Sequence, residues 1–158
     1  MIVFANAEKK HIDDIAEVEK ECFLTPWPKS SFEKDICKNK FSVYVVAVDD
    51  KTGKVVGYGG MWRVVNEGHI TNIAVSEKYR RQGIAEKIIE NLERICHDNE
   101  MIGMTLEVRR GNQKAMSLYR KKGFRISGIR PEYYSDTKED AIIMWKYFIP
   151  EDELENYL

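Results

Sequence analysis

Asn72-Ile73-Ala74-Val75-Ser76-Glu77-Lys78-Tyr79-Arg80-Arg81-Gln82-Gly83-Ile84-Ala85 opens as a strand, passes through a polar loop and ends on a glycine at the threshold of a helix. Beyond Gly83, the residues Ala85, Ile88, Ile89, Leu92 and Cys96 recur on one helical face, the most regular such pattern in the chain. Two guanidiniums and a glycine therefore stand where a strand hands over to a helix N-terminus. Unpaired N–H groups and the positive end of the helix dipole favour an anion there, Gly83 permits close backbone approach, and small Ala85 keeps the first turn clear. The spacing is neither G-x-G-x-x-G nor G-x-x-x-x-G-K-[ST], which turns the reading away from nicotinamide and P-loop nucleotides. A solvated basic loop with a turn glycine fits the same spacing, and both readings stay open at this point.

Upstream of this unit, residues 41–48, 54–64 and 69–75 read as three strands joined by turns at 49–53 and 66–68, an antiparallel meander. Before it come a short strand at 2–5, a helix at 9–22, a break at Thr25-Pro26-Trp27-Pro28, and a second helix announced by a capping box of Ser30 and Glu33. Downstream, 104–108 is a strand, Asn112 an N-cap, and the next helix stops at Gly123; strands at 124–129 and 140–148 close the chain. The order βααβββαβαββ predicts an α+β fold, a mixed central sheet of about seven strands flanked by about four helices on both faces. No repeat or Pro/Gly/Ser-rich linker divides the chain, so residues 1–158 are expected to form a single domain.

Composition removes several function classes. With 25 Lys+Arg against 26 Asp+Glu the formal net charge is −1, which lacks the footprint of general nucleic-acid binding. The longest nearly unbroken apolar stretch, 41–48, falls far short of the ~20 residues that span a bilayer. Cys22, Cys37 and Cys96 are odd in number and widely spaced, as a reducing compartment tolerates, so a cytoplasmic location is expected. Each lies in a helical pattern suited to a small buried hydrophobe. Cys96-His97 is the only close pair of metal-ligand types among Cys and His, and its side chains diverge on a helix; no metal is expected. No Ser sits in G-x-S-x-G, which argues against covalent catalysis. Trp62 and Trp145 read most simply as core residues.

Two residues stand out as proton carriers. Glu107, within Leu106-Glu107-Val108, falls in a strand expected near the sheet centre, where a buried carboxylate would carry a raised pKa suited to a general base. A surface-facing Glu paired with Arg109 or another neighbour is the competing reading. Tyr119 lies on the following helix, and a core tyrosine with a satisfied hydroxyl fits equally well.

The collinear series Asn72-Ile73-Ala74-Val75, Arg80-x-x-Gly83-x-Ala85, Leu106-Glu107-Val108-Arg109, Asn112, Leu118-Tyr119 and Gly123-Phe124 resembles the GNAT superfamily of acetyl-CoA-dependent N-acetyltransferases. Pro26-Trp27, Arg130-Pro131-Glu132-Tyr133-Tyr134 and Glu139-Asp140-Ala141-Ile142-Ile143-Met144 extend the likeness to the bacterial ribosomal-protein-alanine N-acetyltransferases, the RimI type, over nearly the whole chain. The resemblance implies main-chain contacts from Ile73, Ala74 and Val75 to the acetyl and pantetheine part of acetyl-CoA. Arg81, Gln82, Gly83, Ile84, Ala85 and Glu86 would cradle its pyrophosphate, and Asn112 would help hold it. Glu107 would accept a proton and Tyr119 donate one. Trp27, Tyr133 and Tyr134 would wall a groove for the acceptor, a ribosomal protein N-terminus. Glu86 puts a negative charge where the family commonly carries a basic residue.

Chemistry favours an N-terminal acceptor, because an α-amine (pKa ≈ 7.7–8.0) is neutral far more often at pH 7 than lysine (≈ 10.4), and only a neutral amine attacks a thioester. Three functions follow: acetylation of the N-terminal alanine of a small-subunit ribosomal protein; a GNAT enzyme acting on another protein N-terminus, lysine or small amine; or a non-catalytic acyl-CoA-binding module. The joint presence of Glu107 and Tyr119 favours the enzymes.

Overall fold

The meander forms where runs rich in valine, tyrosine and isoleucine, buried on both faces, are broken by short polar turns. In the computed structural model, which describes residues 1–157, it comprises β2 (Ser42–Asp49), β3 (Lys54–Val64) and β4 (Glu67–Val75), with β1 (Ile2–Asn6) on its outer edge. β5 (Gly103–Arg109), β6 (Arg125–Arg130) and β7 (Ala141–Tyr147) complete a seven-stranded sheet in the order β1-β2-β3-β4-β5-β7-β6. All neighbours pair antiparallel except β4 and β5, which run parallel. The helices are α1 (Ile12–Cys22), α2 (Lys29–Cys37), α3 (Ile84–Asp98) and α4 (Gln113–Lys121). This is the mixed α+β arrangement that the element order implies.

Two boundaries depart from expectation. The turn between β3 and β4 is tighter than 66–68, because Val65 takes a left-handed φ of 55° and pairing begins at once with Val64 opposite Glu67. Ser30 does not cap α2. Pro28, extended at φ −70° and ψ 155°, occupies the N-cap position and the helix starts directly after it, leaving Ser30 inside the first turn.

Alternation along the strands sends side chains to two cores, one on each face of the sheet. On one face, α1 and α2 bury Ile12, Ile15, Ala16, Val18 and Phe32 against Tyr44, Val46, Tyr58 and Ala74. On the other, Ile84, Ile88, Ile89, Leu92 and Cys96 of α3 and Met116 of α4 pack on Val45, Ala47, Met61, Met104, Leu106 and Val108. The buried Cys96 fits its expected role and its thiol is pushed up to about 12 by burial, whereas Cys37 is exposed and does not.

Gly59 sets how closely α3 approaches the sheet: a β-carbon there would collide with the Ile88 side chain and stand 3.2 Å from Leu92. Gly59→Ala should therefore cost about 1–3 kcal/mol, the usual cost of overpacking a filled core. Urea unfolding measures this, and an unchanged midpoint would show that the α3 interface has slack.

Candidate active site

Parallel pairing between β4 and β5 covers only Glu67, His69 and the residue between them, opposite Gly103, Met104 and Thr105. Beyond His69 and Thr105 the strands no longer pair. From there to Val75, β4 is bonded only to β3, so alternate main-chain N–H and C=O groups face an opening between the two strands. Ile73 and Ala74 border this opening, as does Val75, whose carbonyl already accepts from Arg80 Nε at 3.0 Å.

At the end of β4 the loop turns into α3 through two left-handed residues, Arg81 at φ 63° and Gly83 at φ 76°. Alternating hand turns successive N–H groups inward, the geometry of a backbone anion nest, and Gly83 is the N-cap of the 15-residue α3 with no side chain satisfying the helix's first donors. The two arginines divide their work. Arg80 is tied to Val75 and Cys22, whereas Arg81 is exposed and forms no ion pair among the described residues. Gln82 is exposed, Ile84 is buried under the loop, and Ala85 adds no bulk. These residues fit a pyrophosphate. Glu86 does not face a ligand unopposed: Lys121 of α4 lies 2.5 Å from it and holds its carboxyl below the usual range, and Lys122 grips Glu90 at 2.7 Å. Asn112 is an N-cap as expected, accepting from the Ala115 N–H at 3.1 Å.

Glu107 is on the opposite face of the sheet from α3, since Leu106 and Val108 take the inner positions on either side of it. It is not buried, and to that extent the expectation of a sequestered carboxylate is corrected: β5 alternates, and no helix covers this part of the α1/α2 face. Arg130 Nε lies 3.2 Å away, and the nearby Glu107 carboxylate raises the pKa of the Tyr133 phenol. Tyr134 packs edge-on to Tyr133, with Arg109 over its ring at 4.0 Å. Tyr119 is half-buried against Phe124; burial, with Tyr134 next in effect, pushes its phenol up to about 12, and its hydroxyl makes no hydrogen bond among the described residues. Glu107, Tyr119, Tyr133 and Tyr134 are thus neighbours around one end of β5.

Trp27 approaches from the α1–α2 loop. Its ring stacks on Trp62 at 6.4 Å, and its main-chain N–H donates to Glu19 at 2.8 Å. Trp62 and Trp145 are not core residues. Trp62, His69, Thr105 and Trp145 form one cross-strand row on the α1/α2 face, with Trp62 38% exposed, its Nε1 donating to Asp35, and Trp145 stacked on Tyr147. The hairpin register alone would place Trp62 opposite His69. Asn72, which opens the Asn72-Ile73-Ala74-Val75 motif, is joined by two residues outside the motifs, Glu19 and Tyr58; their signal is Glu19 standing four residues after Ile15 on the buried stripe of α1.

The Acetyltransferase (GNAT) family model matches residues 12–124. The chain belongs to the GNAT family. A Bacillus subtilis protein provisionally named as a [ribosomal protein bS18]-alanine N-acetyltransferase is 38% identical over 140 residues, 89% of this chain and 91% of the relative. The Escherichia coli K12 [ribosomal protein bS18]-alanine N-acetyltransferase is 30% identical over 146 residues, 91% and 96% of the two chains. The crystal structure of the E. coli ribosomal-protein-S18-alanine N-acetyltransferase superposes with a TM-score of 0.85 at 27% identity, covering 96% of this chain and 98% of that one. As a GNAT enzyme the protein is an N-acetyltransferase with acetyl-CoA as its acetyl donor. Among the described residues, no three His, Cys, Asp or Glu come together as a metal-binding group, and no helix is long and apolar enough to cross a membrane.

In this GNAT enzyme the β6–β7 loop is tied down by charge. Arg109 grips Asp136 through two bonds of 2.8 and 2.9 Å, and Arg110 reaches Asp140 at 2.8 Å. Arg109 holds the Asp136 carboxyl below its ordinary value, and the Glu132 N–H followed by Arg110 does the same for Asp140. Lowered folded values mean that this support is complete above the unfolded carboxylate pKa, about 3.9, and is lost as pH falls through the folded values. Amide exchange in residues 131–140 should therefore rise below about pH 4 while the core strands stay protected. Protection of that loop unchanged to about pH 2 would discount these ion pairs.

Proposed function

We propose that the protein acetylates the N-terminal alanine of a small-subunit ribosomal protein in the cytoplasm. The observation that carries this reading is the opening between β4 and β5, with an anion cradle at one end and a carboxylate on the face away from α3. Acetyl-CoA would lie along the β4 edge with its pyrophosphate at Arg81 to Glu86. Bound there, it supplies an activated acetyl carbon and a thiol leaving group. The α-amine enters from the α1/α2 face, between the Trp27 loop and the Tyr133-Tyr134 segment. Glu107, directly or through one water, takes the proton that the nitrogen loses as the N–C bond forms. Main-chain N–H groups near Val75 offset charge developing on the carbonyl oxygen. Tyr119 returns a proton to sulfur as the C–S bond breaks; with its pKa near 12 it is protonated throughout the neutral range.

The named relatives in B. subtilis and E. coli support the ribosomal acceptor, since the likeness runs over about nine-tenths of each chain. Chemistry supports a terminus over lysine, because an α-amine titrates near 7.7–8.0 and lysine near 10.4. The test is mass-spectrometric localisation of acetyl on a peptide with the N-terminal sequence of the ribosomal protein. The free α-amine should be labelled and the blocked peptide left untouched; label on lysines of the blocked peptide at a comparable rate would move the enzyme to lysine, and preference for polyamines to small amines.

Glu107→Gln and Tyr119→Phe should each lower kcat by roughly 10²–10⁴-fold with acetyl-CoA affinity nearly unchanged. The Glu107→Gln deficit should shrink as pH rises, because the amine then deprotonates unaided. Arg81→Glu should reduce the thermal shift given by CoA without altering the fold. Wild-type turnover in both proton-transfer variants would remove those roles, and an undiminished CoA shift would remove the cradle.

A further inference from the structure

We propose that Asn72 receives the acceptor amine, its side-chain carbonyl accepting one N–H while Glu107 takes the departing proton, and that buried Glu19 is the positioning residue that fixes this amide. The inference rests on the N-acetyltransferase reading above and assigns a substrate contact on the opposite strand from Glu107.

The placement follows from register. Counting on from the last parallel pair, His69 with Thr105, Glu107 stands two residues along β5 and Thr71 two along β4. β4 carries a bulge here: Gly60 pairs with Asn72 and Met61 with Ile70, leaving Thr71 as the extra residue. Asn72 thus comes at the level of Glu107 across the opening. Its side chain is on the α1/α2 face, because it meets Glu19 of α1 and Tyr58, the face on which Glu107 also projects.

The orientation of the amide follows from its partners. Asn72 Nδ2 is 3.2 and 3.4 Å from the two Glu19 oxygens and 3.3 Å from the Tyr58 hydroxyl. Only the donor end of an amide can face a carboxylate. Glu19 is 1% exposed and has its charge met by three donors: the Tyr58 hydroxyl, the Trp27 N–H and Asn72. Tyr58, its phenol held far up by burial and then by Glu19, remains a donor at every accessible pH. Asn72 Oδ1 is left pointing away from this cluster; it accepts no hydrogen bond among the described residues and is not sealed from solvent.

An entering primary amine has to give up water around its N–H groups. Glu107 takes one proton, and an N–H that remains needs an acceptor or it stays unpaired in a closing site. A fixed carbonyl supplies that acceptor and turns the nitrogen lone pair toward the acetyl carbon. Because the same carboxylate holds the Trp27 N–H, Glu19 sets the acceptor-side loop and the amide together.

The test compares two peptides, one beginning with alanine and one in which propionyl replaces that alanine and so lacks the amine. For Asn72→Ala, kcat/KM on the alanyl peptide should fall about 10- to 100-fold, while inhibition by the propionyl peptide and the KM for acetyl-CoA stay within about twofold. Asn72→Ser keeps a donor for Glu19 but withdraws the carbonyl, and should show the same split even if Asn72→Ala does not fold. Glu19→Gln should weaken both the alanyl reaction and propionyl binding, because it also frees the Trp27 loop. Unchanged kcat/KM in the Asn72 variants would overturn the assignment. So would a parallel loss of propionyl affinity, which would reduce Asn72 to loop support. Wild-type behaviour of Glu19→Gln would remove Glu19 from it. If the wild-type enzyme acetylates no α-amine at all, the proposed function falls and this inference with it.

Discussion

Everything at this site depends on two parallel strands that stop pairing. A buried strand edge with unmet N–H and C=O groups is unfavourable in a folded protein, so a gap of this kind persists only if the elements on either side hold the strands apart. Here β4 is held by the long β3 ladder, interrupted only at the Thr71 bulge, and β5 by β7 along its full length, while β4 and β5 share only their first three residues. The polar edges left over are what a pantetheine chain, itself a string of amides, can complete in the manner of an added strand.

Around that gap the two faces of the sheet do different work. The face carrying α3 presents cations and helix donors and suits a polyanion. The other presents a carboxylate, phenols and aromatic rings and suits an amine with a chain behind it. A buried polar cluster beneath the Trp27 loop joins the second face to the strand that borders the gap. Such clusters are costly to half-satisfy, and both carboxylates of this one are met: Glu19 accepts from three donors, and Asp35 accepts from Tyr44 and Trp62.

Local signals made most of the fold legible. The stripe from Ala85 to Cys96, the cap at Asn112 and the stop at Gly123 all depend on neighbours close in sequence, and all stand where periodicity and turn chemistry put them. Errors arose where one residue's backbone decided the matter, as at Pro28 in place of Ser30 and at left-handed Val65. The site was legible in part. Motif spacing pointed to Arg81, Gly83, Glu107 and Tyr119, but whether Glu107 is sheltered depends on which part of a sheet face the helices leave bare. That is a property of packing between distant segments and leaves no mark in Leu106-Glu107-Val108. Trp62 and Trp145 were misplaced for the same reason, since a tryptophan in a strand looks alike whether its face is covered or open.

Glu86 and Glu90 reach from α3 to Lys121 and Lys122 at the C-terminal end of α4, so a change of charge at either member of a pair is felt by the other. A lineage that acquires a basic side chain at 86 gains a cation beside the cradle but sets it against Lys121, and the repulsion disappears only when 121 changes as well. A loss of Lys121 alone leaves a bare carboxylate close to where a pyrophosphate would dock. Charge beside the proposed cradle is therefore a balance struck between two helices, set by α4 as much as by α3.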